Sequence, residues 1–340
     1  LRFSVKGKPG DKVTVTYSDD DIFSGKSDMA DYFVLNGEGE ESFETLFSVH
    51  RFRYAEISGI ENAENVFAVE ILSDISRTGD FYCSDTRINE KYVSATRLMK
   101  RRFLSVPEND MGYGKISESD SANQVYRKLI YDVCDSQCSN GFVPDCFPVP
   151  QYGYRKLADS DVDAQISVLG TVFNHYMMYC DVNVIKDALP MCKSLAKFIC
   201  DRCNCVLKLG TVNFYMLNLC NCVRDSDADI YKENYNNLKL EFRTGLKDGK
   251  TPDNLCADYI MGYNIGFFLG DEIKKVIFQS NGVEESFPRL LGVLGDIGER
   301  EEAYNIICDN PDADELVWSD EFFVAHDVIL NKPVVLSSGE

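Results

Sequence analysis

Tryptophan occurs once in the 340 residues, at Trp318, and histidine three times, at His50, His175 and His326. Histidines so scattered do not suggest a His-rich metal centre. No apolar run reaches the roughly twenty residues needed to cross a bilayer. The stretch Ile260 to Leu269 is short and interrupted by glycine, so no membrane partner is expected. Basic residues are also in deficit, with 35 Lys and Arg against 55 Asp and Glu and a formal net charge of -20. That balance repels a phosphate backbone and excludes a nucleic-acid partner, whereas a neutral ligand suits it. Neither a G-x-S-x-G elbow nor a P-loop occurs, and there is no fixed-period repeat of solenoid type.

A hydrophobic fraction of 44% argues for a folded chain, and 340 residues exceed one average domain, so two domains are expected. The thirteen cysteines are odd in number and scattered, which favours reduced thiols in a cytoplasm over a disulfide-stapled secreted scaffold. The record opens at Leu1 rather than Met, which leaves secretion through a removed leader open. Homo-oligomer formation is also open.

The first seventy or so residues alternate apolar and polar as half-buried strands do. Arg2 to Lys6 and Lys12 to Tyr17 flank a Pro9-Gly10-Asp11 turn signal, and the pattern continues over Tyr32 to Leu35, Glu44 to Val49, Phe52 to Ile57 and Val66 to Ile71. Short strands separated by Gly, Asn and Asp clusters predict an antiparallel sandwich. From about Thr86 the period becomes helical, behind Ser84 and Asp85 as capping candidates. Apolar stripes then mark Val125 to Gln137, Asp163 to Tyr179, Val184 to Cys205, Asp227 to Arg243, Cys256 to Phe268, Asp271 to Gln279 and Phe287 to Cys308. Strands followed by helices imply separate cores. Periodicity cannot choose between a bundle, a solenoid and a closed toroid.

Cys200, Cys203 and Cys205, with Cys220 and Cys222, raise a zinc hypothesis, because thiolates at short spacing converge tetrahedrally. One pair has the Cys-x-x-Cys spacing but the other is Cys-x-Cys. Small buried helix residues are the favoured reading.

The segment Phe43 to Gly59 resembles the F-x-x-H-x-F-R-Y-x-E-x-x-G strand pair of bacterial α-L-rhamnosidases. Thr78 to Asp85, Val125 to Val133, Asp135 to Gln137, Asn140 to Asp145, Asp163-Ala164, Tyr179 to Asp181 and Leu290 to Tyr304 are similar to further motifs of that family, in order. The resemblance implies an α+β multidomain chain. An antiparallel β-sandwich over residues 1–75 is followed by an (α/α)6-type toroid, complete or partial, over 76–340. It implies inverting hydrolysis of terminal α-L-rhamnosides, with no cofactor and no metal.

Inversion needs a protonated carboxyl at the leaving oxygen and a carboxylate holding water opposite, about 6.5–9.5 Å apart. In the family the acid lies in an aspartate-rich segment that is shortened here to Val106 through Asp120. Asp110 matches the first family aspartate, Lys115 stands where the acid is expected, and Glu118 and Asp120 are the carboxyls left to replace it. Trp318 to Glu321 resembles the later turn that supplies the base, which makes Glu321 the candidate base and Glu315 its reserve. Tyr113, Asp163, Trp318 and His326 are the candidate sugar-binding residues. Plain packing for the tyrosine, and helix capping for Asp163, are the competing roles. A carbohydrate-binding relative without catalysis is the alternative reading, favoured by the lost acid motif and the single Trp.

Overall fold

Alternation at the N-terminus does produce strands. The computed structural model describes residues 1–18, 29–45, 48–50, 52–71, 82–104, 106–107, 123–144, 162–247, 255–279 and 293–309. The chain divides into two compact units, Leu1–Leu72 and Ser73–Glu340.

In the first unit, β1 (Arg2–Lys6), β4 (Glu40–Glu44) and β6 (Ala63–Phe67) form one antiparallel sheet in the order β4-β1-β6. The second sheet contains β2 (Lys12–Ser18), β3 (Ala30–Val34) and β5 (Tyr54–Ser58) in the order β3-β2-β5. The central strands β1 and β2 turn Phe3, Val5, Val13, Val15 and Tyr17 inward, where they pack with Leu35. One strand lies earlier than the alternation places it, at Glu40–Glu44 instead of Glu44 to Val49. Gly37 and Gly39 take left-handed φ values, and the Glu41 carboxylate accepts the Asn36 and Gly37 N–H groups at 3.1 and 2.9 Å. The turn therefore closes early, and pairing with β1 starts at Glu40.

The second unit is built of helices. They are α1 (Thr86–Arg102), α2 (Asn123–Ser136), α3 (Val162–Tyr179), α4 (Val182–Cys200), α5 (Val206–Val223), α6 (Ala228–Lys247), α7 (Leu255–Asn264), α8 (Gly270–Gln279) and α9 (Arg300–Asp309). A short ribbon, β7 (Phe103–Leu104) with β8 (Val106–Pro107), lies between α1 and α2.

Helix α5 has no counterpart in the pattern reading, which runs one helix from Val184 to Cys205 and resumes at Asp227. Two features account for this. Helix α4 ends at Cys200, where the Asp201, Arg202 and Cys203 N–H groups close the last turn on Lys197 and Ile199 carbonyls. Helix α5 is apolar on nearly every side, so it has no stripe for periodicity to find; such helices are buried all round. The stripe read over Phe287 to Cys308 is likewise broken. Gly298 sits at φ 84°, and the Glu299 N–H donates to the Leu294 carbonyl at 2.8 Å, which ends one helical turn before α9 begins.

Packing follows the same division. Helices α3, α5 and α7 touch one another in succession, while α2 and α4, between and outside them, also meet. The largest core of the unit fills the space between the inner and outer helices, with Leu169 and Val172 from α3, Ile185 and Leu195 from α4, and Val212, Met216 and Leu219 from α5. Helix α7 packs on α8, Lys274 of α8 pairs with Glu299, and α9 returns to α1. At that return Tyr304 donates to the Asp85 carboxylate, and Arg87 donates to Tyr304 at 2.9 Å and to Asp85 at 2.8 Å. The β8 end of the ribbon that follows α1 packs on α2. Helix α1 thus meets the ribbon that packs on α2 and, among the described residues, also the late helix α9.

Candidate functional site

Asp163 stands in the first turn of α3, where the positive end of the helix dipole favours a carboxylate. Lys208 stands in the first turn of the neighbouring inner helix α5 and is the one charged residue of that helix. Its Nζ donates to Asp163 Oδ2 at 2.7 Å, so the two inner helices present a carboxylate and an ammonium side by side at the same end of the unit. Both side chains remain partly exposed, at 48% for Asp163 and 29% for Lys208, although Asp163 Oδ1 itself is buried. The Asp163 carbonyl also accepts the Ser167 hydroxyl at 2.8 Å. The carboxylate is therefore tied to a partner on another helix.

Deeper along the inner helices, polar groups are satisfied locally. Thr171 and Thr211 donate to the carbonyls four residues before them at 3.0 Å, and Asn213 Nδ2 to the Leu209 carbonyl at 2.8 Å. Gln165 reaches out of α3, donating to the Val143 carbonyl at 2.8 Å and accepting the Val143 N–H at 3.1 Å. It thereby fixes the Asn140 to Pro144 segment on the helix next to Asp163.

The other end of α3 carries a second polar group. Asp181 caps α4 through the Val184 N–H, and its other carboxylate oxygen lies 3.7 Å from Arg127 Nη1 of α2 and 3.8 Å from His175 Nε2. His175 is fully buried, and neither ring nitrogen has a hydrogen-bond partner among the described residues. Burial holds its pKa below the usual imidazole value, with Asp181 opposing the shift. This group cannot serve with Asp163 in one reaction. The sixteen helical steps from Asp163 to Tyr179, at about 1.5 Å each, put about 24 Å of helix between the two ends, far beyond the spacing of a carboxyl pair in inversion.

Asp163 is thus the one sequence-derived candidate within the described residues. Asp110, Tyr113, Glu118, Asp120, Trp318, Glu321 and His326 lie outside them, as do Lys115 and Glu315. Lys208 escaped sequence reasoning, although a lone cation in the apolar run from Val206 to Val223 is a readable signal. Among the described residues no group of three or more His, Cys, Asp or Glu side chains converges on a metal position. Cys203 and Cys220 are buried, whereas Cys200 and Cys205 are exposed.

With this geometry in view, comparison with known proteins is informative. Residues 1–74 match the family described as the bacterial alpha-L-rhamnosidase concanavalin-like domain. An alpha-L-rhamnosidase of Formosa agariphila is 24% identical over 188 residues, which is 49% of this chain and 20% of that protein. One of Streptomyces avermitilis is 23% identical over 371 residues, covering 90% of this chain and 35% of its own length. The chain is a divergent or partial relative of the bacterial α-L-rhamnosidases. It spans about a fifth to a third of the length of the curated rhamnosidases it matches. Among solved structures, the Streptomyces avermitilis α-L-rhamnosidase complexed with L-rhamnose superposes with a TM-score of 0.66 at 18% identity, over 89% of this chain and 35% of that one. The α-L-rhamnosidase from Dictyoglumus thermophilum gives 0.69 at 17% identity, over 89% and 42%. At such identities these rhamnosidase structures speak to the fold alone, a sandwich followed by a helical toroid.

Proposed function

We propose that this chain forms part of a glycoside hydrolase that removes terminal α-L-rhamnose by inversion, with residues 1–75 as the sandwich and 76–340 as the toroid around the sugar. One observation carries the reading furthest. The adjoining helices α3 and α5 bring Asp163 and Lys208 together at one end, partly exposed. A carboxylate beside an ammonium suits a polyol, since one sugar hydroxyl donates to the first while another accepts from the second. In this reading Asp110, Glu118 or Asp120 protonates the leaving oxygen and Glu321 activates water. Tyr113, Trp318 and His326 contact the sugar with Asp163, and no cofactor takes part.

A second reading, a sugar-binding relative without turnover, draws on Lys115 at the expected acid position and on the single Trp. Release of the phenol from an aryl α-L-rhamnoside separates the two. The enzyme reading expects turnover that falls by orders of magnitude in Glu321→Gln, and in Glu118→Gln if that residue is the acid. Saturable L-rhamnose binding without turnover selects the second reading.

A further inference from the structure

The Cys200-Asp201-Arg202-Cys203 segment is left unused by any reading of the sugar site, and the structure gives it a definite shape. Cys200 is the last residue of α4 and is exposed. The chain then continues for one more tight turn. The Arg202 N–H donates to the Ile199 carbonyl at 3.0 Å and the Cys203 N–H to the same carbonyl at 2.9 Å. Cys200 and Cys203 therefore stand three residues apart on the turn that closes α4, spanned by these two bonds. Cys203 is buried at 8% exposure, with its sulfur 4.0 Å from the Cys205 carbonyl.

Residues so spaced have Cβ atoms about 5–6 Å apart, against about 3.8 Å in a disulfide, so closure asks the turn to tighten by about 1–2 Å. The place where that movement falls is favourable. It lies past the end of α4 and before α5 begins at Val206, so no helix has to bend. The deeper thiols differ: Cys192 is completely buried and Cys134 is pushed up to about 11 by burial, which keeps both from reacting.

We infer that Cys200 and Cys203 form a dithiol that closes to an intramolecular disulfide when it meets a small disulfide oxidant, a covalent staple on the α4–α5 connection. The Cys200 thiolate attacks one sulfur of oxidised glutathione, and a glutathione thiolate leaves. The Cys203 thiolate then attacks the Cys200 sulfur of the mixed disulfide and expels the second glutathione. Two protein thiols are oxidised, one glutathione disulfide is reduced to two thiols, and the protein's two protons end on them. The location at a helix C-terminus next to Asp201 disfavours a thiolate, and burial followed by that carboxylate raises the Cys200 thiol. The closure is accordingly slow, quickens as pH rises, and marks a staple and not a thioredoxin-type catalyst.

The inference is independent of the rhamnosidase reading, and so is its test. The chain is incubated with oxidised glutathione, alkylated, and digested with trypsin, which cuts after Lys197, Arg202 and Lys208 and so separates Cys200 from Cys203. The expected product is the peptide of residues 198–202 joined by a disulfide to that of residues 203–208, in the wild type and in Cys205→Ser, and released by reductant. A Cys200 found only as unmodified thiol, only as its glutathione adduct, or bonded only to Cys205 or a more distant cysteine overturns it.

Discussion

Replacing Gln165 tests how firmly the segment beside Asp163 is held. Its side-chain amide is 2% exposed and makes two hydrogen bonds to one residue, donating to the Val143 carbonyl and accepting the Val143 N–H. Gln165→Leu keeps most of the volume but leaves a buried donor and a buried acceptor without partners. At about 1–3 kcal/mol for each such group, partly offset by the added apolar contact, the loss is about 2–4 kcal/mol. Gln165→Glu is the sharper variant. As a carboxylate it still accepts from the Val143 N–H but opposes the carbonyl with a second acceptor, whereas as a neutral acid it donates there. Its folded-state pKa is thereby raised above the unfolded value of about 4.3, so the stability of this variant is fully present below that pH and is lost as pH rises through the folded value. Urea unfolding followed by near-ultraviolet circular dichroism, on both variants at pH 7 and on Gln165→Glu down to pH 4, measures this. A loss under about 0.5 kcal/mol in the leucine variant, or no recovery of the glutamate variant in acid relative to wild type, refutes the reasoning.

Two further substitutions probe the same unit. Gly141 adopts φ 92°, and a Cβ there meets the Ser194 carbonyl oxygen at 2.4 Å, so Gly141→Ala combines left-handed strain with a backbone collision and costs about 2–4 kcal/mol in the same urea assay. His175 is held neutral by burial, and its depressed folded-state pKa means that stability falls as pH drops below the unfolded value of about 6.5. His175→Leu is expected to flatten the stability profile between pH 7 and pH 5, and an unchanged profile contradicts the assignment.

How much the sequence reveals depends on whether an element shows the solvent one face. Strands β1 and β2 alternate because each packs one side on the other sheet, and both were readable residue by residue. Helix α8 has one polar side and was equally plain, whereas the stripe of α4 was legible but ran on to Cys205, past the end of the helix at Cys200. Helix α5 touches α3, α4, α6 and α7, so nothing in Val206 to Val223 distinguishes a front from a back. Losing that helix also hid Lys208 and the partner of Asp163. The return of α9 to α1 was beyond periodicity, because it depends on Tyr304 meeting Asp85 and Arg87, more than two hundred positions away. It was the ordered family-like motifs that implied a toroid. Asp163 was legible as a candidate by its place in those motifs, but its ion pair was not.

The central claim is that the helical ring holds an L-rhamnose unit for single displacement. Proton nuclear magnetic resonance of the sugar as it is released from an α-L-rhamnoside reads this most directly, since a single displacement delivers the β-anomer before mutarotation mixes the two. The account predicts β-L-rhamnose as the first product, and its disappearance in Glu321→Gln. First release of the α-anomer, or neither release nor saturable binding of L-rhamnose by the chain, contradicts it.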